Sequence, residues 1–270
     1  MNESTSSPGT GQDLPGATAG LFRGVGVALV TIFGDDGEID AGATGKLAAD
    51  LVARGMQAVL VNGSTGEAAT LAGPERAALI EAVLGAVPPG TPVIAGTGAP
   101  SARQAAVLTA DAAAAGADVV LAFPPPGSRD LTGYYRAVAS AAGRHPVLAY
   151  HFPRVSTPGI PVEALPGLPV TGVKDSSGDP DRLLDELAHY RGATYVGSSA
   201  VLALAGPMGA AGAILALANI EPERCVAAFA GDAAAQLALA DRHLEARRGG
   251  PPALKAVLAA EHGIPAGARQ

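Results

Sequence analysis

Short apolar runs alternate with longer amphipathic stretches along most of this chain. Eight runs are almost uninterrupted by polar residues, at 26–33, 57–63, 92–98, 117–123, 146–152, 169–175, 194–199 and 212–219. A continuous apolar run of this length is typical of a parallel strand buried on both faces, whereas a half-exposed strand alternates. The pattern therefore predicts eight parallel strands.

The stretches between the runs carry helix signals, such as Ser101 as an N-cap and Pro74 in a first turn. They predict helices at 40–54, 74–87, 101–116, 130–142, from 179 onward, 221–246 and 251–263. Eight strand-then-helix units with no break in composition predict one (β/α)8 TIM barrel with a C-terminal helical extension. We assign 1–20 to a flexible tail, 21–220 to the barrel and 221–270 to the C-terminal helices.

A doubly wound open sheet is the structural alternative to the barrel. Such sheets often bind nucleotides through glycine-rich loops. No Gly-x-Gly-x-x-Gly opens the first predicted helix, and no Walker A sequence occurs in the chain. The sequence therefore favours the barrel.

Composition narrows the class of partner. The chain has 270 residues, is 48% hydrophobic and carries a formal net charge of −7 without any basic run, which argues against nucleic acid. Its one cysteine, Cys225, excludes an internal disulfide and fits a reducing cytoplasm. No apolar stretch approaches the ~20 residues of a membrane helix. We expect a cytoplasmic enzyme that acts on small molecules.

Three polar motifs stand where predicted strands end, which is where the active sites of such barrels lie. They are "GSTGE" at 63–67, "YHFP" at 150–153 and "GVKDSSGD" at 172–179. Burial would lower the pKa of Lys174, and a neutral lysine amine can attack a ketone to form a Schiff base. Tyr150 would supply a proton donor and acceptor beside it.

Each motif also has a structural interpretation. Lys174 could extend to solvent or pair with Asp175. Tyr150 could be a core tyrosine, and "GSTGE" an ordinary strand-to-helix turn rather than a cradle for a carboxylate. His151, at the end of its strand, could line the pocket or bond only to loop backbone. The five histidines lack the spacing of a metal site, so we expect neither metal nor organic cofactor.

Together the three motifs resemble those of the dihydrodipicolinate synthase and N-acetylneuraminate lyase family, over roughly residues 22–265. The usual forms there are Gly-Thr-Thr-Gly-Glu, Tyr-Asn-x-Pro and Gly-x-Lys-Asp-Ser-Ser-Gly. The resemblance implies a class I aldolase that handles pyruvate. Lys174 would form the imine and Tyr150 would be the general acid and base. The implied substrate-binding residues are Gly63, Ser64, Thr65, His151, Arg154, Gly197 and Ser198.

Two departures from the synthases bear on the substrate. The synthases carry two tyrosines after the fourth strand, where this chain has Phe123 and Pro124. They also place an arginine after the Tyr-Asn-x-Pro motif to hold a second carboxylate. Here Val155 stands near that position and Arg154 comes one residue early, which makes Arg154 a weak candidate for that role. We therefore expect an uncharged or hydroxylated aldehyde as acceptor rather than aspartate semialdehyde.

The sequence favours an aldolase that acts on a 2-oxo-3-deoxy sugar acid or a similar hydroxy-oxo acid, as in the 2-keto-3-deoxygluconate aldolase branch. Three alternatives remain: a dihydrodipicolinate synthase, a dehydratase or hydratase-aldolase using the same imine, and a non-catalytic barrel. The resemblance also implies a homo-oligomer, either a dimer or a tetramer.

Overall fold

A closed barrel of eight parallel strands forms the centre of the computed structural model, which describes residues 20–269. The strands are β1 Gly24–Ala28, β2 Val59–Val61, β3 Val93–Gly96, β4 Val119–Ala122, β5 Val147–His151, β6 Gly172–Asp175, β7 Ala193–Val196 and β8 Gly212–Leu215. Each pairs with the next, and β1 pairs with β8 to close the ring. The predicted (β/α)8 barrel is confirmed; the predicted tail lies outside the described residues except for Gly20.

Helices cover the outside of the barrel. They are α1 Ala41–Ala53, α2 Gly73–Ala86, α3 Ala102–Ala114, α4 Leu131–Ala142, α5 Pro180–His189, α6 Leu202–Ala205, α7 Pro222–Phe229, α8 Ala233–Ala238 and α9 Ala240–His262. The side chains of Asp40, Ser101, Asp130 and Asp179 cap the N-termini of α1, α3, α4 and α5. These caps satisfy backbone N–H groups that a helix cannot bond internally.

The single helix predicted over 221–246 is wrong. The chain breaks it into α7, α8 and the first part of α9 because Asp232 accepts hydrogen bonds from Ala234 and Ala235 and so starts a new helix. The helix predicted at 251–263 is the second part of α9. The two parts meet at a kink at Gly250, whose φ of 60° and ψ of −150° interrupt the helical backbone.

Strand alternation decides which side chains face the barrel interior. Leu148 and Tyr150 of β5 pack with Tyr195 in the interior cluster. Val147 and Ala149 belong to the larger cluster between strands and helices. Because side chains point alternately to the two faces of a strand, the same rule sends Lys174 inward and Asp175 outward.

The floor of the barrel, at the amino ends of the strands, is closed by the segment before β1. The Tyr195 hydroxyl donates to the Phe22 carbonyl at 3.1 Å and accepts from the Phe22 N–H at 3.2 Å, and the two rings stack. The barrel therefore opens at the carboxyl ends of its strands. No helix within residues 20–269 is long and apolar enough to cross a membrane.

Candidate active site

Lys174 lies at the inner end of a cavity at the carboxyl ends of the strands. Its side chain is only 4% exposed, and its Nζ sits 4.5 Å from the centroid of the Tyr150 ring. The two residues are register partners on β6 and β5, so both project inward at the same level. Within residues 20–269 no carboxylate pairs with the amine, and burial lowers the pKa of Lys174 to about 7. About half of the amine is therefore neutral near neutral pH.

The Tyr150 hydroxyl sits between two serine hydroxyls. Ser176 lies 3.4 Å from it, and Ser64 also hydrogen-bonds to it. Burial raises the pKa of Tyr150 to about 12, with both serines opposing that rise. Tyr150 therefore remains protonated at physiological pH and can donate a proton.

Gly197 makes room for this group of side chains. A Cβ built on Gly197 would lie 1.9 Å from the Ser176 Oγ and 3.0 Å from the Lys174 Cε. Any larger residue would push Ser176 away from Tyr150. Gly197 therefore lines the cavity as a spacer, beside Ser198.

The turn after β2 places Ser64 and Thr65 on the cavity wall. Gly63 holds the turn in shape through its carbonyl, which accepts from the N–H groups of Gly66 and Ala68. The hydroxyls of Ser64 and Thr65 can donate hydrogen bonds to a small carboxylate. Gly63, which the sequence analysis included among the substrate-binding residues, is not among the residues that line the cavity.

Glu67, the last residue of the GSTGE motif at 63–67, is fully buried and hydrogen-bonds to the C-terminal part of the chain. Its carboxylate accepts from the Lys255 Nζ at 2.5 Å and from the Arg269 N–H at 2.8 Å. The Lys255 amine and the Arg269 guanidinium both stack on the ring of Phe33. Glu67 therefore anchors the turn, a role that the sequence analysis did not assign.

His151 does not line this cavity, contrary to its inclusion among the substrate-binding residues. It points to the outer face of the barrel, where its Nδ1 accepts from the Ile160 N–H at 2.9 Å. Burial lowers the pKa of His151 to about 4, so it stays neutral. Strand alternation explains the difference, because Tyr150 and His151 are neighbours on one strand and cannot both face inward.

Arg154 and Val155 both line the outer part of the cavity, and the Arg154 Nη1 donates to the Arg247 carbonyl at 3.4 Å. Phe123 packs edge-on against Tyr150, with ring centroids 6.0 Å apart. The nearby Tyr134 cannot replace the missing tyrosines of the synthases, because its hydroxyl donates to the Phe123 carbonyl.

Sequence reasoning missed several residues of the cavity wall: Phe152, Ser176, Ser177, Ser199, His243, Ala246, Arg247 and Leu254. Ser176 and Ser177 lie within the lysine motif at 172–179, so their position could have indicated them. Those on α9 lie some seventy residues beyond the lysine in an ordinary amphipathic pattern. No local signal marks them.

A parallel (β/α)8 barrel with a cavity of about 340 Å³ at the carboxyl ends of its strands defines the general class as a TIM-barrel enzyme. Residues 21–247 match the family described as the dihydrodipicolinate synthetase family. The chain belongs to that family, and is thereby an enzyme of the aldolase-type carbon–carbon lyases.

Relatives and solved structures agree with this assignment. The 4-hydroxy-tetrahydrodipicolinate synthase of Pseudomonas aeruginosa is 35% identical over 236 residues, which cover 82% of this chain and 80% of that protein. The corresponding enzyme of Synechococcus sp. WH7803 is 42% identical over 130 residues, 47% of this chain and 43% of that protein. The dihydrodipicolinate synthase structure from Acinetobacter baumannii, solved in complex with pyruvate, has a TM-score of 0.83 at 27% identity and covers 93% of this chain and 92% of its own.

Proposed function

We propose that this protein is a Schiff-base aldolase that makes or cleaves a carbon–carbon bond between pyruvate and an aldehyde. The observation that carries the proposal is the environment of Lys174. Its amine is buried, has no ionic partner within the described residues and lies beside a protonated tyrosine hydroxyl. That combination suits a nucleophilic amine and a general acid and base.

In the synthetic direction, the neutral Lys174 amine attacks the ketone carbon of pyruvate. Tyr150 protonates the carbinolamine hydroxyl, which leaves as water and gives an iminium ion that draws electrons from the neighbouring methyl group. The Tyr150 phenolate then takes a methyl proton, and the resulting enamine carbon attacks the aldehyde. Tyr150 donates a proton to the new alkoxide, and water then releases the product from Lys174. Ser64 and Thr65 hold the carboxylate of pyruvate throughout.

For the substrate we propose a 2-oxo-3-deoxy sugar acid or a similar hydroxy-oxo acid. The hydroxyls of Ser176, Ser177, Ser198 and Ser199 along the cavity support it, because hydroxyls can both donate to and accept from the hydroxyls of a sugar chain. Val155, where the synthases have an arginine, also supports it.

The names of the relatives favour the alternative of a dihydrodipicolinate synthase. A synthase and a plain aldolase require different groups on the acceptor. A synthase uses the α-amino group of aspartate semialdehyde to close a ring, whereas a plain aldolase ignores that group. Comparing kcat/KM for aspartate semialdehyde and succinic semialdehyde separates the two. A strong preference for aspartate semialdehyde would restore the synthase interpretation. Product analysis with pyruvate and hydroxylated aldehydes separates an aldolase from a dehydratase or hydratase-aldolase.

The direct test of the proposed function is borohydride reduction in the presence of pyruvate. We expect one reduced adduct per chain, located by mass spectrometry in the peptide that contains Lys174. No adduct, together with no turnover of any 2-oxo acid, would instead support the non-catalytic barrel.

We also propose that the protein assembles into a homo-oligomer, a dimer or a tetramer. Leu237 and Leu244, on neighbouring helices α8 and α9, are 77% and 47% exposed, and burial in an interface would remove them from water. Light scattering should give a multiple of 26.5 kDa, and a monomer at that mass would contradict the proposal.

A further inference from the structure

Asp175, the residue after Lys174, is buried behind the active site and takes no direct part in the proposed reaction. It is the last residue of β6, and its side chain is only 3% exposed. Strand alternation points that side chain to the outer face of the barrel, away from the cavity. A carboxylate is costly to bury, so the groups that it bonds indicate its role.

The carboxylate of Asp175 holds the turn that follows it, residues 176–179, which we call the serine turn. Its Oδ1 accepts from the Ser177 N–H at 2.8 Å, and its Oδ2 accepts from the Ser177 hydroxyl at 2.9 Å. The same hydroxyl accepts from the Asp179 N–H at 3.1 Å. Asp175 therefore fixes both the backbone and the side chain of Ser177, one residue beyond Ser176.

The serine turn places Ser176 against Tyr150. The Ser176 N–H donates to the His151 carbonyl at 2.8 Å, and its hydroxyl donates to the Tyr150 hydroxyl at 3.4 Å. Burial raises the pKa of Tyr150, and this donor opposes the rise because it stabilises the phenolate that forms when Tyr150 gives up its proton. A bond of 3.4 Å is long, so its strength depends closely on where the turn holds Ser176.

Arg182, on α5, lies between Asp175 and a second buried carboxyl group. Its Nε is 3.7 Å from the Asp175 Oδ2, and its Nη2 is 2.8 Å from the Glu186 Oε1. Burial, together with the charge of Asp175, raises the pKa of Glu186 to about 8, so Glu186 is mostly protonated at pH 7. The charge of Arg182 is therefore left to neutralise Asp175. Burial raises the pKa of Asp175, and Arg182 opposes that rise and favours a carboxylate that accepts at both oxygens.

We propose that Asp175, supported by Arg182, is a positioning residue for proton transfer: it acts through the serine turn, which holds the Ser176 hydroxyl against Tyr150. This inference rests on the proposed function, in which Tyr150 moves the protons. Without the Asp175 carboxylate the turn loses two hydrogen bonds, and Ser176 moves away from the Tyr150 oxygen. The phenolate is then less stable, and removal of a methyl proton from the pyruvate imine slows.

Exchange of the pyruvate methyl protons in deuterium oxide measures this step without any acceptor. Imine formation, loss of a methyl proton and return of a deuteron leave pyruvate otherwise unchanged, and proton NMR follows the loss of the methyl signal. Asp175→Asn should lower kcat for exchange roughly 10-fold, about the effect of one charge-assisted hydrogen bond, because the amide nitrogen that replaces one carboxylate oxygen cannot accept. The KM for pyruvate should not change, since Ser64 and Thr65 hold the carboxylate.

Glu186→Gln is the matched control, because it makes the same isosteric change at the other buried carboxyl group beside Arg182. Within residues 20–269 the Glu186 carboxyl forms no hydrogen bond to the serine turn, so kcat for exchange should stay unchanged. Ser177→Ala is a second variant that removes one bond to Asp175 without removing a buried charge, and it should also lower kcat. Equal losses in Asp175→Asn and Glu186→Gln would indicate a general loosening of α5 and overturn the proposal.

A double-mutant cycle shows whether Asp175 acts through Ser176. In Ser176→Ala the donor to Tyr150 is already gone, so adding Asp175→Asn should cause no further loss of exchange. A merely structural role for Asp175 would give the full additional loss in both backgrounds, and that result would contradict the proposal.

Crystal structures of the variants test the positioning itself and separate this inference from the proposed function. In Asp175→Asn the Ser176 and Tyr150 hydroxyls should lie beyond hydrogen-bonding range, whereas in Glu186→Gln they should stay 3.4 Å apart. An unchanged distance in Asp175→Asn overturns the inference. If borohydride traps no pyruvate on the wild type, the proposed function fails, and this distance still decides whether Asp175 positions Ser176.

Discussion

Two lysines are buried in this barrel, and their surroundings differ. Lys174 lies near the end of strand β6 inside the cavity, with an aromatic ring beside its amine and no carboxylate partner among residues 20–269. Lys255 lies on α9, where its fully buried amine bonds to the Glu67 carboxylate and to the Gly267 carbonyl. Burial lowers the pKa of both amines, but Glu67 opposes the change at Lys255.

The contrast shows that burial alone does not make a lysine a nucleophile. A buried amine next to a carboxylate keeps its proton and serves as an anchor. A buried amine without such a partner loses its proton more readily and can attack a carbonyl. We therefore expect substitution of Lys174 to change imine formation, and substitution of Lys255 to change the free energy of unfolding.

The largest expected effect is on covalent trapping. Lys174→Ala should abolish the borohydride-reduced pyruvate adduct completely, because the attacking amine is gone, while circular dichroism should show an intact fold. Lys46→Ala, at an exposed lysine, is the control and should trap normally. An adduct that persists on Lys255 in the Lys174→Ala protein would contradict the assignment of Lys174 as the nucleophile and Lys255 as an anchor.

Tyr150→Phe should lower the rate of carbon–carbon bond formation by roughly 10²–10⁴, the usual contribution of a positioned general acid and base. The ring and its packing remain, so part of the imine trapping should survive. Tyr134→Phe is a matched control, since the Tyr134 hydroxyl donates to the Phe123 carbonyl at 2.7 Å and does not line the cavity. Unchanged turnover in Tyr150→Phe would mean that another group moves the proton.

The next effect is on stability. Lys255→Ala should lower the free energy of unfolding by roughly 3–5 kcal/mol, because it removes the ammonium group that bonds to the buried Glu67 carboxylate. Lys174→Met should leave it unchanged or raise it, since an unpaired amine no longer has to be desolvated. Urea unfolding monitored by circular dichroism measures both changes. Equal destabilisation by the two substitutions would contradict the distinction.

The smallest effect is the pH dependence of imine formation. Only the neutral amine attacks, so the initial rate of trapping should rise about tenfold per pH unit below the pKa of Lys174 and level off above it. The midpoint should lie near pH 7, whereas Tyr150, with a pKa of about 12, should not titrate in this range. A midpoint near the ordinary lysine value of 10.5 would show that the amine is solvated.

The sequence predicted the barrel well because each strand of a buried parallel sheet is marked by its own residues. At the end of the last strand, where the predicted boundary was wrong, a distant contact was responsible. The last predicted strand extended to 219, but β8 ends at Leu215. The apolar residues beyond it form a turn, held by Asn219, whose side chain bonds to the Ala28 carbonyl and the Val30 N–H.

The sequence predicted residues of the candidate site only where a single segment marks them with a recognisable strand end and motif. Lys174 and Tyr150 stand at the ends of recognisable strands, and alternation along those strands places them together. Arg247 could not be predicted, because its position on the cavity depends on how α9 crosses the barrel mouth. Lys255 looked like any helical lysine, since nothing near it in sequence indicates that its partner is Glu67.

The bond between Glu67 and its partners also has a consequence for synthesis of the chain. Lys255 follows Glu67 by 188 residues, and Arg269 follows it by 202. At the usual translation rate, the ribosome needs roughly 10 to 40 s to reach Lys255 after it has passed Glu67. During that interval the carboxylate lacks the ammonium group that neutralises it. The bonds that tie the turn carrying Ser64 and Thr65 to the C-terminal part of the chain can therefore form only after most of the barrel has been translated.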